Sequence, residues 1–172
     1  DLAWILSNPL EKGQSLPEDS ITSLRTLNYA VTVMVVNLYY SNPSLLPVKG
    51  FGYLIPNSTP KSQNPDGALG VIFASETSGR QDTAPGTKVT VILGGHMWDD
   101  LTDSDYPDHE SAVMMARSLL QRHLGITETP TVTRSQLQRN AIPQYTVGHE
   151  ARIKEISRAV RTEFRHRLTL AG

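Results

Sequence analysis

Val48-Lys-Gly-Phe-Gly-Tyr-Leu-Ile-Pro56, Ala68-Leu-Gly-Val-Ile-Phe-Ala-Ser75 and Lys88-Val-Thr-Val-Ile-Leu-Gly-Gly95 decide the fold. They hold three short apolar runs, Gly50–Ile55, Ala68–Ser75 and Lys88–Leu93, separated by connections rich in Pro, Asn, Gly and Ser. That pattern predicts successive strands of an antiparallel sheet. Side chains alternate between the two faces of a strand. Phe51, Tyr53 and Ile55 therefore point one way and Leu54 the other. Val89, Val91 and Leu93 share one face, and Thr90 and Ile92 share the opposite one. Gly50, Gly52, Gly70, Gly94 and Gly95 leave bare backbone beside large apolar groups. Glycine inside a strand marks a bulge or a close approach by a ligand or another chain. On pattern alone, this is an ordinary sheet laid over a core.

Upstream, Leu27–Tyr40 is the most apolar stretch and is rich in β-branched and aromatic residues, which predicts a long strand. It is shorter than the roughly 20 apolar residues of a membrane span and carries Asn28, Thr32 and Asn37. Before it, Leu2–Leu6 is a short apolar segment with Trp4 as its packing anchor, and Asp19 or Ser20 caps a short helical turn through Leu24. Asn57–Gly67 and Glu76–Gly86 read as surface loops.

Downstream, Asp108 is an N-cap with Glu110 favourable in the first turn. Val113, Ala116, Leu120 and Leu124 follow at helical spacing, and Gly125 with Ile126 closes the helix. Thr127–Thr133 reads as a loop entering a short extended segment. A second helix is predicted from Glu150 to His166, with Ile153, Ile156, Val160 and Phe164 on one side and an i,i+4 pair between Glu150 and Lys154. The predicted fold class is α+β, a mostly antiparallel sheet flanked by helices.

The 172 residues suffice for one good core. A net charge of −1 gives no electrostatic case for nucleic acid. No cysteine is present, which excludes disulfides and thiolate metal sites. The histidines, His96, His109, His123, His149 and His166, show no metal-ligand spacing. His123 falls in the last turn of its helix, where a cation suits the dipole. The acidic run Asp99, Asp100, Asp103, Asp105 and Asp108 lacks calcium-loop spacing and reads as solvated. Neither a nucleophile elbow nor a phosphate loop occurs. Residue chemistry thus offers no acid, base or nucleophile in a working arrangement. What remains is an apolar sheet face that suits a flat hydrophobic ligand whose reaction a cofactor carries.

Val36-Asn-Leu38, Gly50-Phe-Gly-Tyr-Leu-Ile-Pro56, Ala68-Leu-Gly-Val-Ile-Phe73, Val89-Thr-Val-Ile-Leu-Gly-Gly95 and, most specifically, Ile142-Pro-Gln-Tyr-Thr-Val-Gly-His149 together resemble the mitochondrial type of protoporphyrinogen oxidase. That family lies within the flavin-containing amine oxidases. The order and spacing agree from about Leu27 to Gly172. The resemblance implies an FAD enzyme of haem biosynthesis at the mitochondrial inner membrane, in which a homodimeric parent is a possibility. It removes six electrons from protoporphyrinogen IX, giving protoporphyrin IX and, from oxygen, hydrogen peroxide.

Carried onto this sequence, the family's substrate slot falls on Phe51, Gly52, Leu54, Ile72 and Ile92, with Leu54 and Ile72 on one side of the ring and Ile92 on the other. The flavin side falls on Leu137, Gln138, Asn140, Ala141, Ile142, Pro143 and Tyr145. No metal is implied. The domain reading is 1–27 as the tail of an FAD-binding domain, 28–138 as the substrate-binding domain and 139–172 as the return to the FAD-binding domain. Ala74, Met97 and Ala141 depart from residues common in the family.

The family's Gly-rich dinucleotide fingerprint, its propionate-holding cation and its membrane-inserting segment do not occur in the sequence, and Asp1 and Gly172 look like cut ends. The chain is therefore expected to be a fragment that binds FAD weakly and turns over nothing without the rest of its polypeptide. The alternatives are another flavin-containing amine oxidase, which an aromatic cage would favour, and a non-catalytic module for an apolar ligand.

Overall fold

Valine, isoleucine, threonine and tyrosine crowd the backbone at Cβ or carry a ring, and they sit well on a pleated surface. They fill β1, Ala30–Tyr40, in the computed structural model of the chain, which describes residues 18–20, 22, 29–77 and 82–169. With β2 (Gly52–Leu54), β3 (Ala68–Phe73), β4 (Thr87–Gly94) and β5 (Val132–Pro143) it forms a five-stranded sheet in the order β2-β3-β4-β1-β5. The β1–β4, β2–β3 and β3–β4 pairs are all antiparallel. A short helix α1 (Ala74–Thr77) follows β3, and a 3-10 turn, Gly95–Trp98, follows β4. The long helices are α2 (His109–Leu124) and α3 (His149–Glu163). The chain divides into two compact units, one of Val31–Ile142 and one of Asp1–Ala30 with Pro143–Gly172. The α+β expectation holds.

Register turns alternation into a core. Val36 faces Val91, which faces Val71, and Leu38 faces Val89, which faces Phe73. All six are buried, and α2 lays Ala112, Ala116, Leu119 and Leu120 over them. Each large side chain removed from water contributes about 1.5–3 kcal/mol, enough to fix which sheet face turns inward. The helix ends form as their local chemistry dictates. Asp108 accepts a 2.8 Å hydrogen bond from the Ser111 amide, and hydrogen bonding from the Ser111 side chain, with the amide adding to it, holds its carboxyl below the usual range. Gly125 takes the left-handed conformation (φ 68°), and Ile126 tucks in behind it.

Several boundaries differ from expectation. β2 spans three residues rather than Gly50–Ile55, because Gly50 and Gly52 both have positive φ and Pro56 has no amide to donate. Single bonds from Phe73 to Phe51 and from Ile55 to Leu69 extend the pairing on either side. β3 ends at Phe73, where Ala74 and Ser75 turn into α1 and the Thr77 hydroxyl bonds back to the Phe73 carbonyl. α3 stops at Glu163, before the left-handed Arg165 and His166. Its Glu150–Lys154 pair forms at 2.6 Å.

The largest difference is β5. Thr127–Thr133 was expected to lead into only a short extended segment, yet Val132–Pro143 forms a twelve-residue strand. Thr133, Ser135 and Leu137 are half-buried and alternate with the exposed Val132, Arg134 and Gln136. On an edge strand where Leu137 is the one large apolar residue on the inward side of that stretch and Val132 faces out, alternation leaves almost no hydrophobic signal. Residues 18–20 and 22 are helical, so a helical turn is present but Asp19 and Ser20 lie within it rather than capping it; Trp4, Leu2–Leu6 and the rest of that turn lie outside the described residues. No helix among the described residues is long and apolar enough to cross a membrane.

Candidate functional site

The sheet face opposite the core carries the candidate site. Residues paired directly across antiparallel strands point the same way. Leu54 pairs with Gly70, Gly70 with Ile92, and Ile92 with Val35. In the adjacent row Gly52 pairs with Ile72, Ile72 with Thr90, and Thr90 with Asn37. Four of the five slot residues, Gly52, Leu54, Ile72 and Ile92, therefore lie on one face in two adjacent rows. Gly70 puts no side chain between Leu54 and Ile92, whose backbones stand two strand spacings, roughly 10 Å, apart, and Leu54 leans towards it, its Cδ2 lying 3.1 Å from where a Gly70 Cβ would stand. Ile72 stands on the strand of Gly70, two residues along. The face is open, with Leu54 84% exposed and Ile72 and Ile92 half-buried. Its polar end is the Thr90 hydroxyl donating to the Asn37 side-chain oxygen at 2.6 Å.

The fifth slot residue is placed differently. Phe51 has the opposite parity to Leu54, and its ring is 69% exposed at the sheet edge. Two contributors escaped the sequence reading. Val35 follows from alternation in β1 once the register is known. Leu69 does not, because it falls at the bulge between Ala68 and Gly70, where the pairing with β4 slips.

Bare backbone at Gly52 and Gly70 is explained by a neighbouring strand. A Cβ on Gly70 would stand 2.5 Å from the Tyr53 carbonyl oxygen, and one on Gly52 would stand 2.1 Å from that of Val71. Tyr53, facing the core side, pins β2 from below. Its ring meets Phe73 edge-on at 6.1 Å, and its hydroxyl lies 3.1 Å from Nδ1 of His123 on α2. Burial pushes the Tyr53 phenol up to about 12, the Arg122 guanidinium opposing it, so the phenol stays neutral.

His123 was expected as a cation at the helix end. Instead burial, with Arg122 adding to it, pushes its pKa down, and its Nδ1 shares a hydrogen bond with the Tyr53 hydroxyl. The unfolded chain therefore binds a proton here that the folded chain resists. This contribution is fully present above the ordinary value of 6.5 and is lost as pH falls through that value towards the lowered one. Replacing His123 with Phe is expected to flatten the fall in stability between about pH 7 and pH 5, measured by urea titration at each pH, while leaving the pH 8 value less affected. An unchanged slope would sink this assignment.

The flavin-side residues of the resemblance lie along β5 and just beyond it. Leu137 packs against the core cluster and Gln138 is half-buried. Asn140 is left-handed (φ 49°), and its amide meets the Thr32 hydroxyl at 3.3 Å. Ala141, Ile142 and Pro143 are exposed. Tyr145 is 81% exposed and stacks on His149 with ring centroids 4.3 Å apart. Among the described residues no group of His, Asp or Glu is arranged to hold a metal ion. In the acidic run, Asp105 is tied to Thr102, and Asp103 pairs with Arg139.

No protein-family model matches the chain. It is 40% identical over 141 residues to protoporphyrinogen oxidase of Schizosaccharomyces pombe, covering 82% of this chain and 28% of that protein. It is 38% identical over 161 residues to protoporphyrinogen oxidase of Homo sapiens, covering 91% of this chain and 32% of that protein. A solved structure from Exiguobacterium sp., provisionally assigned as a protoporphyrinogen oxidase, superposes with a TM-score of 0.58 at 17% identity, over 80% of this chain and 28% of that one. At that identity the superposition shows a shared fold. Sequence and fold thus agree: the chain is related to the protoporphyrinogen oxidases and spans about a third of the length of the relatives it matches.

Proposed function

We propose that this chain forms most of the substrate-facing part of an FAD-dependent oxidase that converts protoporphyrinogen IX to protoporphyrin IX, with O2 as acceptor and H2O2 as product, in haem biosynthesis. The observation that carries this reading is the gathering of Leu54, Ile72 and Ile92 on one open sheet face, with Gly70 between Leu54 and Ile92. A tetrapyrrole macrocycle standing edge-on over Gly70 would have Leu54 on one side and Ile92 on the other. Covering an exposed leucine this way is worth about 1.5–3 kcal/mol and excludes water from one edge of the ring. The face is aliphatic, which disfavours the rival reading of an amine oxidase with an aromatic cage.

Bound FAD would take up the electrons in pairs and pass each pair to O2. The residues assigned to it by resemblance fit the ring system and not the phosphates. Ala141, Ile142, Pro143 and Tyr145 are each exposed and uncharged, which suits contact with a flat heterocycle. None of the seven is cationic, and Leu137 is committed to the core, so the phosphate charges are met elsewhere in the polypeptide. In this reading the Val31–Ile142 unit binds substrate and the other unit belongs to the FAD domain. The parent resides at the mitochondrial inner membrane as a homodimer, and this chain alone does not turn over.

The test is steady-state kinetics of the full-length flavoprotein with Leu54→Ala and Ile92→Ala. Each is expected to lower kcat/KM for protoporphyrinogen IX by about 10- to 50-fold, mainly through KM, with flavin content unchanged. Wild-type KM in both variants would remove the reading.

A further inference from the structure

One step beyond the Leu54–Gly70–Ile92 row the strands end, and their connections close around a cavity of about 190 Å3. The cavity lies at the end of the strands that carry the face, with Ile55 and Ala68 of the core side also in its lining. Pro56 on its wall lies two residues past Leu54, and His96 lies four past Ile92. Leu69 lines the cavity and falls at the bulge directly before Gly70, the partner of Ile92. The lining is divided by chemistry. Pro56, Leu69 and Met97 form apolar walls, while Asn57, Thr59 and His96 supply an amide, a hydroxyl and an imidazole. Asn64 also lines it but is not available, since its amide group and its oxygen are both used on the Ala68 backbone at 2.9 Å. Among the described residues no Asp or Glu lines the cavity.

Donors from three short or rigid side chains, with no competing carboxylate, suit an anion that accepts several hydrogen bonds. The volume equals that of roughly six waters, which is the size of a short carboxylic acid side chain rather than of a ring. We propose that this cavity is a subsite for one acidic side chain on the edge of the macrocycle, with His96 as the positioning residue that distinguishes the free acid from a neutral group. The proposal rests on the tetrapyrrole reading above and adds to it where the edge of the ring is read. An acid side chain seated here would fix the rotation of the ring in its own plane. The aliphatic face cannot do this, because contacts between apolar groups are non-directional.

The experiment is steady-state kinetics of the full-length flavoprotein carrying His96→Ala, with protoporphyrinogen IX and with its dimethyl ester as substrates. His96 is exposed, so folding is not at risk. For the diacid, KM is expected to rise about tenfold with kcat within twofold, the loss of one hydrogen bond to a charged group. For the ester, KM is expected to stay at the wild-type value. His96→Gln, which keeps an N–H donor, is expected to restore most of the diacid KM. Equal effects on acid and ester, or no effect on either, overturn the subsite. Ile92→Ala separates the two readings, because it should weaken acid and ester alike. If it does so while His96→Ala is silent, the ring still stands on the face and only the subsite is lost. If Ile92→Ala and Leu54→Ala are both silent, the underlying reading fails.

Discussion

Gly70→Val in the full-length flavoprotein is expected to lower kcat/KM for protoporphyrinogen IX by at least about 100-fold, a larger loss than any truncation on the same face. Truncating Leu54 removes one wall, whereas a side chain at Gly70 stands between Leu54 and Ile92 and displaces the strand beside it. A Cβ there would stand 2.5 Å from the Tyr53 carbonyl oxygen and 3.2 Å from the Leu54 Cα, both backbone atoms that cannot rotate away. β2 must therefore shift outward, and it is short and at the sheet edge. Its movement would loosen the Tyr53–His123 contact and the Ile55–Leu69 hydrogen bond together. Overpacking of this kind typically costs 1–3 kcal/mol, so the fold should persist at a lower Tm. Gly125→Ala is the matched control. That residue is left-handed with nothing within 4 Å of an added Cβ, so the change strains the backbone and leaves the face untouched. Comparable destabilisation in both proteins with loss of turnover in only one would assign the effect to the place between Leu54 and Ile92. Wild-type KM in Gly70→Val would show that the ring does not stand there.

What was legible in the sequence is what local chemistry decides. Asp108 and Gly125 mark the ends of α2 through bonds made within a turn or two, and both behave as read. The inward set Val89, Val91 and Leu93 follows from period two alone. The shared face of Leu54, Ile72 and Ile92 is different in kind. Alternation says which residues agree within a strand, but only register joins three strands, and register is a long-range property. The family resemblance supplied that grouping, and the pairing of Leu54 with Gly70 and Gly70 with Ile92 accounts for it physically. Strict alternation from Ala68 would also place Gly70 and Ile72 on the core side. The bulge at Leu69 reverses them, and one extra residue leaves no compositional trace. β5 was hidden for the opposite reason. Its ladder is real, but its outward residues are Arg134, Gln136 and Gln138, and its inward ones include Thr133 and Ser135. The Tyr53–His123 contact joins residues 70 apart and is visible only once β2 and α2 are packed.

Phe73→Ala is expected to cost about 3–5 kcal/mol of stability, while Phe51→Ala, the same truncation two strand positions from Tyr53, is expected to change it by no more than about 0.5 kcal/mol. The contrast follows from packing. Phe73 is 2% exposed, opposite Val89, with Tyr53 edge-on to its ring, and it shares the core with Leu119 and Leu120 of α2. Its removal leaves a cavity that the sheet cannot close, because Val71 and Val89 are held by their own strand pairs. Phe51 leaves no cavity, since most of its ring is already in solvent. Domains of ordinary size have about 5–15 kcal/mol in hand, so the first change approaches the limit of folding and the second is silent. Urea titration of the two full-length variants, followed by far-UV circular dichroism, measures both. The pair also bears on function. If Phe51→Ala leaves stability intact but raises KM severalfold, Phe51 meets the substrate from the sheet edge, across the strand from the other slot residues. If KM is unchanged as well, the slot consists of Gly52, Leu54, Ile72 and Ile92, the four that share the face, and Phe51 drops out of it.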